Sequence, residues 1–147
     1  VPQRYGATYK ATQVQADKRK NTFTANIATA YPAEAEVESW IRSYSLQKGQ
    51  LRISDSFRLT TAKQPNQINF MTWGQVNTEI PGKIQLEVKG KKAVIEYDKQ
   101  LFDVKTETIP LTDPRLSNVW GKSIYRITLT ATNIYKTGNY SFIIKKQ

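Results

Sequence analysis

The chain contains neither cysteine nor histidine. Without cysteine there is no disulfide to form, so stability does not depend on redox compartment, and cysteine usage does not separate a cytosolic from an exported protein. Without histidine the chain lacks the commonest metal ligand and the commonest general base, which leaves carboxylates, Tyr and Lys for any acid–base chemistry. The acids are scattered rather than spaced as in a calcium loop, so no metal site is expected. Triads and nucleophile elbows fail for want of histidine. The seven glycines sit singly at turns, not in a phosphate-binding loop. No apolar run approaches a membrane-spanning length, and no segment sustains a helical period. The sequence therefore predicts no catalytic residue, no metal and no cofactor on this chain, and no membrane partner.

What is present is a single-domain length of 147 residues with 39% hydrophobic and 23% charged content, the profile of a globular protein. Residues 1–147 are expected to form one domain, large enough to bury about two thirds of its unfolded surface. Twenty-two Lys and Arg against 12 Asp and Glu give a net charge of +10, which favours polyanionic partners. The clusters Lys18-Arg19-Lys20, Lys89 to Lys92 and Lys145-Lys146 fall at turns or the terminus, where they also serve solubility. Nucleic acid is not expected as a partner, because neither an RNA-recognition aromatic motif nor a recognition helix is found. The start Val1-Pro2-Gln3 lacks an initiator Met and an apolar signal segment, which suggests a piece of a larger chain.

Two-residue alternation dominates the pattern. Within residues 36–60, one half carries Trp40, Arg42, Tyr44 and Leu46 on one face, and the other carries Leu51, Ile53, Asp55, Phe57 and Leu59. Closing Gln47-Lys48-Gly49-Gln50 with a two- or four-residue loop sets Leu46 opposite Leu51, Tyr44 opposite Ile53 and Trp40 opposite Phe57. Arg42 then faces Asp55 as a structural ion pair. A three-residue loop would set apolar residues against Arg52, Ser54 and Ser56, so the pattern rejects it.

Further strands are predicted over 8–15 and 22–31, with a break at Tyr31-Pro32 and one short helical turn in the Ala/Glu stretch after it. Residues 67–73 have apolar side chains on both faces, which suits a strand covered on both sides. Residues 83–88 and 93–97 make a second hairpin through Gly90-Lys91, pairing Val88 with Ala93, Leu86 with Ile95 and Ile84 with Tyr97. A strand over 101–108, a turn-rich connection over 109–118, a strand over 123–131, a turn at Asn139 and a last strand with Tyr140, Phe142 and Ile144 on one face complete the chain. About ten short strands separated by turn residues predict an all-β, two-sheet antiparallel β-sandwich.

Glu34, Glu36 and Glu38 are the nearest approach to the paired carboxylates of a glycosidase, but alternation puts Glu36 and Glu38 on a solvated strand face. Aromatic side chains are the better candidates, since sugar rings stack on exposed aromatic faces. Trp73 and Trp120, each followed by Gly at a strand or loop end, are proposed as a platform, with Lys122 two residues beyond Trp120 as a further substrate-binding candidate. Trp73, Trp120 and Lys122 are thus the candidate substrate-binding residues.

Ala28-Thr29-Ala30-Tyr31-Pro32, Val37 with Trp40-Ile41-Arg42, and Gly49 with Ile53-Ser54-Asp55-Ser56-Phe57 resemble the C-terminal part of heparinase II/III-like polysaccharide lyases. Asn69-Phe70-Met71, Pro81-Gly82-Lys83-Ile84, Tyr97-Asp98 and Trp120-Gly121 leading into Tyr125-Arg126-Ile127-Thr128 agree, so the similarity spans most of residues 28–144. These are scattered sandwich positions rather than a catalytic signature. The resemblance implies a β-sandwich following an N-terminal α/α-toroid domain in a secreted or periplasmic enzyme that cleaves uronic-acid polysaccharide by β-elimination. In that family a Tyr or His takes the C5 proton and a histidine-rich motif lies early in the sandwich region. This chain has no such motif, so no catalytic residue carries over. Two readings stand: an accessory and structural domain of a lyase, partnered by the missing toroid and weakly by acidic polysaccharide, or a stand-alone carbohydrate-binding or adhesion module.

Overall fold

The hairpin formed by β3 (Val37–Gln47) and β4 (Gln50–Leu59) turns on Lys48 and Gly49, both at positive φ (50° and 73°), the backbone of a two-residue type I′ turn. Its register is the one that alternation requires: Trp40 opposite Phe57, Arg42 opposite Asp55, Tyr44 opposite Ile53 and Leu46 opposite Leu51. The computed structural model describes all 147 residues, Val1–Gln147. The protein is all-β, its eleven strands lying in two antiparallel sheets of eight and three strands.

The chain forms two compact units, Val1–Gln64 with Ile134–Ile144, and Pro65–Asn133 with Lys145–Gln147. In the first, β1 (Thr12–Asp17), β2 (Thr22–Asn26), β3, β4 and β11 (Thr137–Lys146) lie side by side in that order. One face of this sheet is the core side, with Trp40 stacked on Phe57 at 4.9 Å and Tyr140 4.9 Å from Phe57. Gly138 has no side chain because Phe57 fills the space: a Cβ there would lie 2.9 Å from the ring.

The second strand is shorter than the alternation predicts. It stops at Asn26, whose Oδ1 accepts the N–H groups of both Ala28 and Trp40 and so turns the chain out of the ladder into a 3-10 turn at Ala28–Ala30. The helical turn expected after Pro32 forms at Ala33–Ala35 and is closed by Glu36 in the left-handed region (φ 53°). The first strand lies at 12–17 rather than 8–15.

The second unit contains β5 (Gln67–Thr72), β6 (Gln75–Asn77), β7 (Lys83–Val88), β8 (Lys91–Glu96), β9 (Phe102–Pro110), a short helix α1 (Pro114–Trp120) and β10 (Ser123–Ala131). Strands run β8-β7-β6 in one layer and β5-β10-β9 in the other. Ile68, Ile84, Val94, Ile95, Phe102, Ile127, Leu129 and Ala131 are its buried apolar residues. The β7–β8 hairpin departs from the predicted register by two residues: Val88 pairs with Lys91, Leu86 with Ala93 and Ile84 with Ile95. Its turn is Lys89-Gly90, both at positive φ (49° and 75°), not Gly90-Lys91. A two-residue slip leaves every side chain on its face, so alternation alone does not choose between the registers.

Three other expectations are corrected. Strand β5 is covered on one face only, since Ile68 is buried while Met71 is 53% exposed. The turn-rich connection over 109–118 is interrupted by α1, and β9 runs on to Pro110. Asn139 lies within β11, and the preceding turn falls between Ala131 and Thr137.

Candidate functional site: an exposed tryptophan pair

Strand β5 ends at Thr72, whose hydroxyl oxygen accepts the N–H of Gly74 and turns the chain immediately after Trp73. Gly74 passes so close to β7 that a Cβ would lie 2.3 Å from Val88 Cγ2 and 2.4 Å from the Glu87 carbonyl oxygen. Only glycine permits that approach. It brings Trp73 under the β7–β8 turn, and Lys89 Nζ lies 5.3 Å from the centre of its ring, within cation–π range.

The partner indole comes from the far end of α1. Asp113 caps the helix by accepting the N–H of Arg115, Pro114 occupies the first turn, and Gly121 at φ 87° ends it, its N–H bonded to the Ser117 carbonyl. Asp113 is further held by the Arg115 guanidinium at 2.7 Å, and the side-chain hydrogen bond from Arg115 keeps this carboxyl below its ordinary pKa. Trp120, the last helical residue, meets Trp73 edge to face, with ring centres 6.3 Å apart and planes at 70°. The two indoles remain 37% and 45% exposed, and Leu116 and Val119 of the same helix are exposed as well.

The two tryptophans singled out from the sequence are thus neighbours. Lys122 is exposed one residue beyond Gly121, and its carbonyl accepts from the Leu111 N–H. A cation that the structure does place against the pair, over the Trp73 ring, is Lys89, one of the turn lysines. The signal for it was the Lys-Gly dipeptide of a two-residue hairpin turn, but its distance from Trp73 along the chain hides the contact.

Arg42 and Asp55 lie elsewhere, on the core face of β3 and β4. Nε and Nη2 of Arg42 each donate to one oxygen of Asp55 at 2.7 Å; the Asp55 side chain is wholly buried and that of Arg42 is 24% exposed. Burial works to lower the guanidinium pKa, but the hydrogen bonds and charge of Asp55 outweigh it and hold Arg42 above the usual arginine value. The three glutamates do not converge. Glu34 pairs with Arg4, Glu38 with Arg58, and Glu36 takes a hydrogen bond from the Thr61 hydroxyl and an ion pair from Lys63. No group of three acidic side chains is placed to hold a metal, and no helix is long and apolar enough to cross a membrane. Comparison with protein-family models and with curated proteins returns no match.

Proposed function

We propose that this sandwich is a non-catalytic accessory domain that holds acidic polysaccharide on the Trp73–Trp120 pair. The observation that carries the reading is the pair itself: two exposed indoles in contact, one of them under an ammonium group. An indole face accepts the C–H face of a pyranose ring, and a lysine beside it supplies a counter-charge for a carboxylate or sulfate on the same sugar. A net charge of +10 supports the same class of ligand.

The resemblance to the C-terminal sandwich of heparinase II/III-like lyases supports it from another side. On that reading the chain belongs to a secreted or periplasmic lyase, and β-elimination is done by an N-terminal toroid while this domain contributes binding. The stand-alone carbohydrate-binding module uses the same surface. The test is a titration of indole fluorescence with alginate and heparin oligosaccharides, with dextran as the neutral control. Quenching by the acidic sugars that is lost in W73A and W120A supports the reading. Equal response to dextran, or an undiminished response in both variants, refutes it.

A further inference from the structure

The first unit carries a second surface, on the side of its sheet opposite the core. The strand registers align Gln15, Thr24, Ser43 and Ser54 in one straight row across β1 to β4, and Asp17, Thr22, Ser45 and Arg52 in the next. Residues paired in this way point to the same face, with neighbours about 4.8 Å apart across strands and about 6.8 Å apart along them. A third row, Asn26, Ile41 and Ser56, adds one apolar side chain. Thr24 and Ser43 hydroxyls lie 3.1 Å apart, and Arg52 reaches over to Ser141 of β11 at 3.3 Å.

The composition of this face is not what a merely solvated sheet needs. The chain holds 22 Lys and Arg and 12 Asp and Glu, yet the first row has no charge at all and the second has only one at each end. Long charged side chains, the usual means of keeping a sheet face soluble, are replaced by hydroxyls that lose little rotamer entropy when a ligand orders them. Asp17 is turned to its own loop, where its carboxylate accepts from the Arg19 and Lys20 N–H groups. Arg58, six residues along β4, has Glu38 at 3.8 Å. Arg52 is exposed, and its hydrogen bond goes to a hydroxyl rather than to a carboxylate. One exposed guanidinium at the margin of a hydroxyl-bearing sheet face is complementary to an extended polyol that carries anionic groups.

We propose that this face binds a linear acidic polysaccharide lying flat across β2 to β4, its hydroxyls on the Thr24–Ser43–Ser54 row and one carboxylate or sulfate on Arg52. The site shares its ligand class with the reading above but none of its residues. Serine and threonine hydroxyls both donate and accept, so they match sugar hydroxyls in either orientation. An acidic peptide would use Arg52 and leave the hydroxyl rows unpaired.

The test is amide chemical-shift mapping of the full chain with heparin and alginate oligosaccharides, and with polyglutamate and dextran as controls. Expected are shifts at Thr24, Ser43, Ser45, Arg52 and Ser54 with the acidic sugars, persisting in the W73A/W120A double variant. R52A should weaken them about tenfold, the worth of a hydrogen bond to a charged group, and S43V/S54V should weaken them in a spectrum that otherwise stays folded. Shifts confined to Trp73 and Trp120, or equal shifts with polyglutamate, overturn the hydroxyl-face site, the former leaving the tryptophan reading intact. Shifts only at the hydroxyl rows retain this site and remove the other. No response to any acidic sugar overturns both.

Discussion

Arg42 and Asp55 grip each other across β3 and β4 through two parallel hydrogen bonds of 2.7 Å, on the face of the sheet that carries Trp40 and Phe57. The carboxylate has no access to solvent, so the pair is held together by what its separation would cost. Asp55→Ala would leave a largely buried guanidinium without its partner and is expected to destabilise the protein by about 3–5 kcal/mol, whereas replacing both residues with Leu should cost much less. Urea unfolding of Asp55→Ala and of the double variant measures this. Equal losses in both would show that the pair contributes packing rather than charge complementarity.

Gly74 links the fold to the tryptophan pair. A methyl group at this position meets Val88 and the Glu87 carbonyl well inside contact distance, so the chain at Gly74 and β7 must move apart. Gly74→Ala is expected to cost about 1–3 kcal/mol, the usual range for overpacking. Because the same approach carries Lys89 to Trp73, the variant should also shift indole fluorescence at temperatures where it remains folded. An unchanged spectrum in a destabilised variant would uncouple the two effects.

How much of this was legible beforehand differs from element to element. The β3–β4 register could be read because a one-residue error would have set Arg52, Ser54 and Ser56 against apolar partners, so pattern and turn agreed on one answer. In the β7–β8 hairpin the competing registers differ by two residues and pattern is silent; only the positive φ required at Lys89 and Gly90 decides. Helix α1 is too short to show a period, and its signature is confined to its ends, Asp113-Pro114 and Gly121. The exposure of Trp73 and Trp120 leaves only the glycine after each as its trace in the sequence. Their mutual contact joins residues 47 positions apart on β5's end and on α1, which no local pattern reports.

Glu36 gives the fold a dependence on acid. The hydrogen bond from Thr61, and then the charge of Lys63, hold its carboxyl below the ordinary value of 4.5. A depressed folded pKa means the contribution is complete above the unfolded value and disappears as pH falls through the lower, folded one. The wild type should therefore exceed Glu36→Gln in stability at neutral pH, and the difference should shrink as pH falls below the ordinary value of 4.5. Thermal unfolding of both proteins between neutral pH and pH 3 reads this out. A difference that stays constant across the range would show that neither the Thr61 hydrogen bond nor Lys63 favours the ionised form of Glu36, and would overturn the lowered pKa.

The last prediction separates the two physical parts of the tryptophan site. Lys89 acts through charge, and its share of binding should fall with added salt as screening shortens to a Debye length of about 8 Å at physiological ionic strength. Trp120 acts through ring contact, which salt leaves nearly untouched. On a heparin column, Lys89→Ala should therefore elute earlier and lose part of the salt dependence of the wild type, while Trp120→Ala should elute earlier with the dependence intact. Neither the wild type nor any variant should release unsaturated uronate from heparan sulfate, alginate or chondroitin, as followed by ultraviolet absorbance. β-Elimination needs a base at the C5 proton and a group that stabilises the developing enolate, and the proposed role of the Trp73–Trp120 pair is binding by ring contact and charge, not proton transfer. Appearance of unsaturated product would make this chain a catalyst and overturn its reading as an accessory domain. Identical salt profiles for the wild type and Lys89→Ala would remove the ammonium from the site and leave the indoles to bind alone.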